Sequence, residues 1–243
     1  MHAKQTIVAT AVALSILAPA APFTGASQDD ATPLASFDCE NLGSATFATP
    51  SAMTGMDRGT PMAGMDHMEM EIDQMFIDMM IPHHAGIIGL AQAALPRLQD
   101  QRLQEIAQNI IDAQSGEIEE LRGYREALYG DAEPMAMDDG MMTAMTEMMP
   151  GMSGAMEEMA FQMDPAAQAA AICAAENTDL AFIDMTIAHH QMAIESSEPV
   201  VAGATNEEIR DFAQRVIEDQ QREIAELEEI QADLTGEATP AGA

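Results

Sequence analysis

Tryptophan is absent from this chain of 243 residues, lysine occurs once, at Lys4, and there are only two cysteines, Cys39 and Cys173. With nine basic residues against 41 acidic ones, the formal charge is -32. Such a balance excludes a nucleic-acid backbone as partner, because counterion release requires clustered Lys and Arg. Cations are the natural partners, although most of an acidic surface serves solubility or salt tolerance. Neither cysteine sits in a CxxC, and Asp38 in "SFDC" is wrong for a lipid-attachment site. In an oxidising compartment the two can pair, closing a loop worth on the order of 5 kcal/mol in the chain-entropy treatment; two buried or free thiols are the other reading. No run approaches the roughly 20 apolar residues of a membrane span, so an integral membrane protein is not expected. No serine or cysteine stands in an activating context, which leaves nucleophilic catalysis without support.

The chain opens with a short cationic start, an apolar run from Ile7 to Ala18 and small residues near Ala20 and Ala26. Residues 1–26 read as a secretory signal peptide, which predicts a secreted, periplasmic or cell-envelope protein.

What the chain does have is a gapless repeat. Shifted by 106 residues, "DQMFIDMMIPHHAGII" from Asp73 falls on "DLAFIDMTIAHHQMAI" from Asp179, and "IAQNIIDAQSGEIEEL" from Ile106 on "FAQRVIEDQQREIAEL" from Phe212. Each copy has two stretches of 3.6-residue periodicity and no strand alternation. The expected architecture is all-α: a four-helix bundle of two duplicated helical hairpins, 72–130 and 178–235. A Met-rich acidic segment (27–71) precedes them, a Met-rich, partly helical linker (131–177) joins them, and a disordered tail (236–243) follows. Pro82, just before the first histidine pair, predicts a kink or helix restart.

On the first helix of copy one, Phe76, Met79, His83 and Ile87 share an apolar stripe, with His84 on an adjoining line. On its second helix the stripe Ile106, Ile110, Gln114, Glu117, Leu121, Tyr124 and Leu128 holds one amide and one carboxylate. With the turn near Pro96–Asp100, and a helix start at "TNEE" (205–208) in copy two, the histidines and the Gln114–Glu117 pair reach similar heights.

One histidine on an apolar face is usually a hydrogen-bonded core residue. Four of the chain's six histidines, His83, His84, His189 and His190, shift the balance toward copper. Met79 lies one turn before His83 and Met185 one turn before His189, and thioether with imidazole suits copper. Gln114, Glu117, Gln220 and Glu223 are candidates for orienting the imidazoles, or for a purely structural network. Asp78 and Asp184 point away from the Phe76–His83 line by helical angle, so they are weaker candidates of the same kind, with a place on the helix surface as the other reading.

The 23 methionines are segregated: six fall within 53–70 and eleven within 135–163, segments that contain no Leu, Ile or Val. Met141, Met145, Met148, Met152, Met156, Met159 and Met163 step at helical spacing, as a core stripe would. Pro150, Gly151 and Gly154 weaken such a helix, and the missing branched aliphatics favour metal capture. Thioethers offer cuprous ions soft sulfur without the oxidation to disulfide that thiols suffer outside the cytoplasm. Met65, His67 and Met68 add a mixed set in the first segment, and nearby carboxylates can serve cupric ions.

"FIDMMIPHHAGII" with "AQSGEI", and "FIDMTIAHHQMAI" with "DQQREI", resemble the domain of unknown function (DUF305) family over residues 72–130 and 178–235. The resemblance implies a ferritin-like helical bundle in secreted bacterial proteins, some linked to copper binding and tolerance. Carried over by position, its binding residues are Met79, His83, His84, Met185, His189 and His190. Leu90, Leu121, Ser196 and Leu227 stand where family members often have methionine, and Met192 or the Met-rich segments can compensate.

The leading expectation is a non-enzymatic, extracytoplasmic copper-binding protein that buffers, sequesters or transfers copper, cuprous in preference to cupric. Its partner would be a copper-exporting or copper-accepting protein; oligomeric state is not legible. A di-iron or di-manganese oxidoreductase is the first alternative, disfavoured because such bundles use Glu-x-x-His where this chain has Gln-x-x-Glu. A structural secreted protein with no metal is the second.

Overall fold

A computed structural model describes residues 37–40, 71–135 and 156–236. The segment 1–26, Met65, His67 and Met68, most of the linker methionines and the tail from 237 lie outside the described residues.

The described residues form six helices and no strand: α1 (Ile72–Ala94), α2 (Gln101–Tyr129), α3 (Met156–Gln162), α4 (Pro165–Ala174), α5 (Thr178–Gly203) and α6 (Glu207–Thr235), with a 3-10 turn at Leu95–Arg97. Local chemistry sets their ends. The side chains of Asp100, Asp164, Asn177 and Asn206 accept backbone N–H bonds at the starts of α2, α4, α5 and α6. Gly130 and Gly236, 106 residues apart, close α2 and α6 in the left-handed conformation that glycine adopts without strain. The long helices α1, α2, α5 and α6 make an all-α four-helix bundle of two hairpins, α1–α2 and α5–α6.

Two carboxylates lock the hairpins together. Asp73, at the start of α1, accepts bonds from the backbone N–H of Thr205 (3.1 Å) and Asn206 (2.9 Å) and from the Thr205 hydroxyl (2.6 Å), just beyond the end of α5. Its repeat partner Asp179, at the start of α5, accepts from the N–H of Gln99 (2.8 Å) and Asp100 (3.2 Å), beyond the end of α1. Each helix begins where the other ends, so α1 and α5 run antiparallel and the hairpins are related by a pseudo-twofold axis. Both carboxylates satisfy donors that a helix start leaves orphaned. Asp73→Ala is expected to destabilise the fold by about 2 kcal/mol, the usual effect of losing hydrogen bonds to a charged acceptor. The drop should appear as a lower urea midpoint with an unchanged slope.

Two apolar clusters fill the bundle. One gathers Met75, Phe76, Met79, Met80, Phe212 and Val216, with Phe76 edge-on to Phe212 at 6.2 Å. The other gathers Ile87, Leu90, Leu103, Ile110, Phe182 and Ile183. Met159 and Met163 of the linker stripe are buried in the first cluster, where they fill core. Leu128, the last residue of the α2 stripe, is exposed.

The restart expected at Pro82 is not there. α1 is one continuous helix across it, and Met79, Met80 and Ile81 in the preceding turn are packed into the core, so burial holds a helix that lacks one backbone bond. The linker helices α3 and α4 lie across α1 at two glycines. A Cβ on Gly86 would meet the Gln162 carbonyl oxygen at 1.9 Å, and one on Gly89 would meet the Pro165 oxygen at 2.6 Å. A disulfide joins Cys39 to Cys173 at the end of α4. Beside it the Arg97 guanidinium donates to the carbonyls of Ile172 (3.1 Å) and Cys173 (2.9 Å).

Candidate metal centre

All four histidines of the repeat are buried, at the level where the two apolar clusters meet along α1 and α5. His83 and His189, related by the pseudo-twofold, face each other with ring centroids 3.7 Å apart and planes tilted by 40°. His84 and His190 flank them, 6.2 and 6.3 Å from their neighbours.

The second helix of each hairpin supplies a carboxylate at the same height. His84 Nε2 lies 2.8 Å from Glu117 Oε2, in ion-pair range but off the line of a hydrogen bond. His190 Nε2 is 2.6 Å from Glu223 Oε2. Gln114 and Gln220 are buried with their Oε1 atoms unpartnered. Met79 is fully buried one turn from His83, and Met185 is half-buried one turn from His189. The structure therefore brings the four histidines together with Glu117 and Glu223, while Gln114, Gln220 and Met79 are buried about one helical turn away along their own helices.

Asp78 and Asp184 do not join that layer, contrary to the expectation that they support the imidazoles. Asp78 is buried in an ion pair with Arg125 (2.5 Å), and Asp184 is exposed and accepts from Gln231 (2.6 Å). Arg125 and Gln231 are themselves repeat partners, so both aspartates tie the ends of their own hairpin. Both start nearly a turn and a half before the first histidine of their copy, and they project from the opposite side of the helix.

Burial holds the two facing imidazoles, His83 and His189, in their neutral form. Burial pushes the pKa of His83 well below its ordinary value, with smaller contributions from His84 and His190. His189 is lowered likewise, first by burial and then by His83, His190 and His84. The Gln162 carbonyl of α3 lies 3.2 Å from His189 Nε2, and the His189 backbone partly offsets the lowering at His83. Since a carbonyl only accepts, Nε2 carries the proton and the Nδ1 lone pair of neutral His189 is free. Both ring nitrogens of His83 and the Nδ1 atoms of His84, His189 and His190 are buried without a hydrogen-bond partner. Native cores seldom leave such groups unpaired, and each would forfeit about 1–3 kcal/mol. Lone pairs on neutral, buried imidazoles are the donor set of a borderline or soft metal ion. Among the described residues, however, no three His, Cys, Asp or Glu side chains form a closed metal site by themselves. The donor set fits copper if thioethers complete it.

The profile of a family described as Domain of unknown function (DUF305) matches residues 31–125 and 73–231. The chain belongs to this family. The solved structure of CopM in its Cu(I)-bound form resembles this DUF305 chain with 26% identity, covering 67% of this chain and 96% of that one, at a TM-score of 0.50. The Cu(II)-bound form gives the same identity and TM-score over 67% and 97%. A DUF305 protein of Streptomyces coelicolor, 19% identical over 67% of this chain and 93% of that one at a TM-score of 0.52, shares the fold. No curated protein matches.

Sequence reasoning did not find three features of the site: the Gln162 carbonyl on His189, the Gly86 notch that admits it, and the carboxylate lock that sets α1 against α5. Asp73 and Asp179 are identical across the repeat, which was a signal, but their partners are backbone groups that no side-chain pattern marks.

Proposed function

We propose that this DUF305 protein binds copper, cuprous in preference to cupric, at the histidine layer, and that it buffers, sequesters or passes on copper outside the cytoplasm without catalysing a reaction. The observation that carries the reading is the His83–His189 contact: two buried neutral imidazoles, 3.7 Å apart, with no side-chain partner on either ring nitrogen of His83. Because burial keeps them neutral, they can ligate without first releasing a proton. His84 and His190 complete the nitrogen set, oriented by Glu117 and Glu223, whose charges offset that of the cation. Met79 and Met185 would supply thioethers, for which cuprous ion has the affinity. The likeness to CopM, solved with Cu(I), Cu(II) and silver, supports the same cargo.

Among the described residues only Glu117 and Glu223 bring carboxylates to the histidines, by ion pair or hydrogen bond. That is half the carboxylate complement of a di-iron or di-manganese bundle, which speaks against the oxidoreductase reading. Among the described residues no helix is long and apolar enough to cross a membrane. The segment 1–26 supports export, and Met65, His67 and Met68 would add capacity in the first Met-rich segment. A copper exporter or copper acceptor is the partner class that transfer requires.

The test is a titration with cuprous ion against a competing chromophoric chelator, beside a variant with His83, His84, His189 and His190 all changed to Ala. The variant is expected to bind at least a hundred-fold more weakly at the tightest site. Equal binding would move the function to the methionines, and no binding by either protein would end the copper reading.

A further inference from the structure

The two halves of the repeat diverge where the linker crosses them. Gly86 and Gly89 on α1 correspond, 106 residues on, to Met192 and Glu195 on α5. In the first copy the glycines leave room for backbone, and α3 and α4 press against them. In the second copy the equivalent positions line a pocket of about 170 Å³ between α3 and α5, completed by Glu158, Met159 and Gln162. One helix face thus packs the linker tightly, while its duplicate leaves a space faced by two thioethers and two carboxylates. Such a volume holds several water molecules, ample for a partly hydrated ion.

The pocket adjoins the histidine layer: Ala188 and Gln191, which flank His189 and His190 in the chain, line it, and so does Gln162. Of these only Gln162 bonds to a ring, its carbonyl accepting from His189 Nε2. The Gln162 side chain is held on the pocket side by Glu158, whose Oε1 accepts from Gln162 Nε2 at 2.7 Å, and by Gln168, which donates to Gln162 Oε1 at 2.9 Å. A cation that drew Glu158 to itself would loosen the residue that stands between the pocket and His189.

We infer that the α3–α5 pocket is a thioether–carboxylate site for a soft monovalent cation and the port through which His189 and His83 are loaded. Met159 and Met192 supply the sulfur, Glu158 and Glu195 attract and neutralise the charge, and Gln162 is the gate. The inference rests on the copper reading of the histidine layer. Soft sulfur selects the cuprous or silver ion over the harder cations that the acidic surface attracts indiscriminately.

The experiment is a silver(I) titration of the full chain carrying methionines labelled with 13C at the methyl group, with the Met159 and Met192 signals assigned through Met159→Leu and Met192→Leu. Leucine conserves volume, so both variants should fold. The two methyls are expected to shift within the first equivalents, and to do so also in the four-histidine variant. In the double Leu variant, cuprous transfer from a chromophoric chelate to the histidines, followed by stopped flow, should slow at least ten-fold. Histidine signals that respond to silver while Met159 and Met192 stay still would overturn the port and leave the copper reading standing. So would an unchanged transfer rate. If no resonance responds and no silver is retained, the copper reading itself fails and takes the port with it.

Discussion

Replacing Cys39 and Cys173 by serine will lower the stability of the metal-free protein by about 4 kcal/mol, a large share of what a domain of this size has. The bridge spans 134 residues, and a loop that long is the case in which cross-linking restricts the unfolded chain most. The native contacts around it are good but few. Phe37 is buried and donates its N–H to Gln92 Oε1 at 3.1 Å, and Arg97 continues to hold the end of α4 without the sulfur–sulfur bond. The bundle should therefore remain folded, with the far-ultraviolet circular dichroism of a helical protein, while its thermal midpoint falls by about 10 °C. Unfolding in urea with and without a thiol reductant gives the same comparison without mutation. A loss under 1 kcal/mol by both routes would mean that the unfolded chain is already compact enough to make the bridge redundant.

The repeat made much of this architecture legible in advance, because a duplicated pattern reports its own symmetry. Two amphipathic stretches per copy with a polar interruption at matching heights were enough to set Gln114–Glu117 level with His83–His84, but not to say which carboxylate meets which ring. In the structure Glu117 meets His84 at 2.8 Å and Glu223 meets His190 at 2.6 Å. The antiparallel setting of α1 against α5 was not legible, since it is fixed by Asp73 and Asp179 bonding to backbone N–H groups across the bundle. The helical angle that turns Asp78 away from the histidines was legible, but its partner was not. Its partner Arg125 lies on the other helix, and only the matched pair Asp184 and Gln231, at the same offset, would have exposed the link. The linker was the hardest part, because its contacts with α1 run through glycines and main-chain oxygens, and absent side chains leave no periodicity to read.

Acid will destabilise the metal-free protein before its carboxylates titrate. His83 and His189 have folded-state pKa values pushed well below 6.5 by burial and by the neighbouring histidines, whereas in the unfolded chain they take up protons near 6.5. The unfolded state therefore binds more protons as the pH falls through 6.5, and stability is lost on the acid side of that value. It is fully present above it. Each histidine contributes a slope of up to about 1.4 kcal/mol per pH unit, or about 3 kcal/mol per unit for the two. Glu117 and Glu223 face the layer from α2 and α6, but their contacts are with His84 and His190, which leaves the His83–His189 contact without a carboxylate to favour protonation. Most carboxylates titrate nearer pH 4, and neutralising part of a -32 charge relieves self-repulsion, an effect of opposite sign. The window from pH 6.5 to 5.5 thus isolates the histidines. Urea unfolding at pH 7.5, 6.5 and 5.5 should show a loss of about 2 kcal/mol across the last step in the wild-type protein, because the full slope is reached only below 5.5, and little in a His83→Gln/His189→Gln variant. Parallel pH profiles for the two proteins would show that the facing imidazoles become charged in the folded state, and a pair of charged rings 3.7 Å apart could not then be the neutral donor set on which copper binding rests.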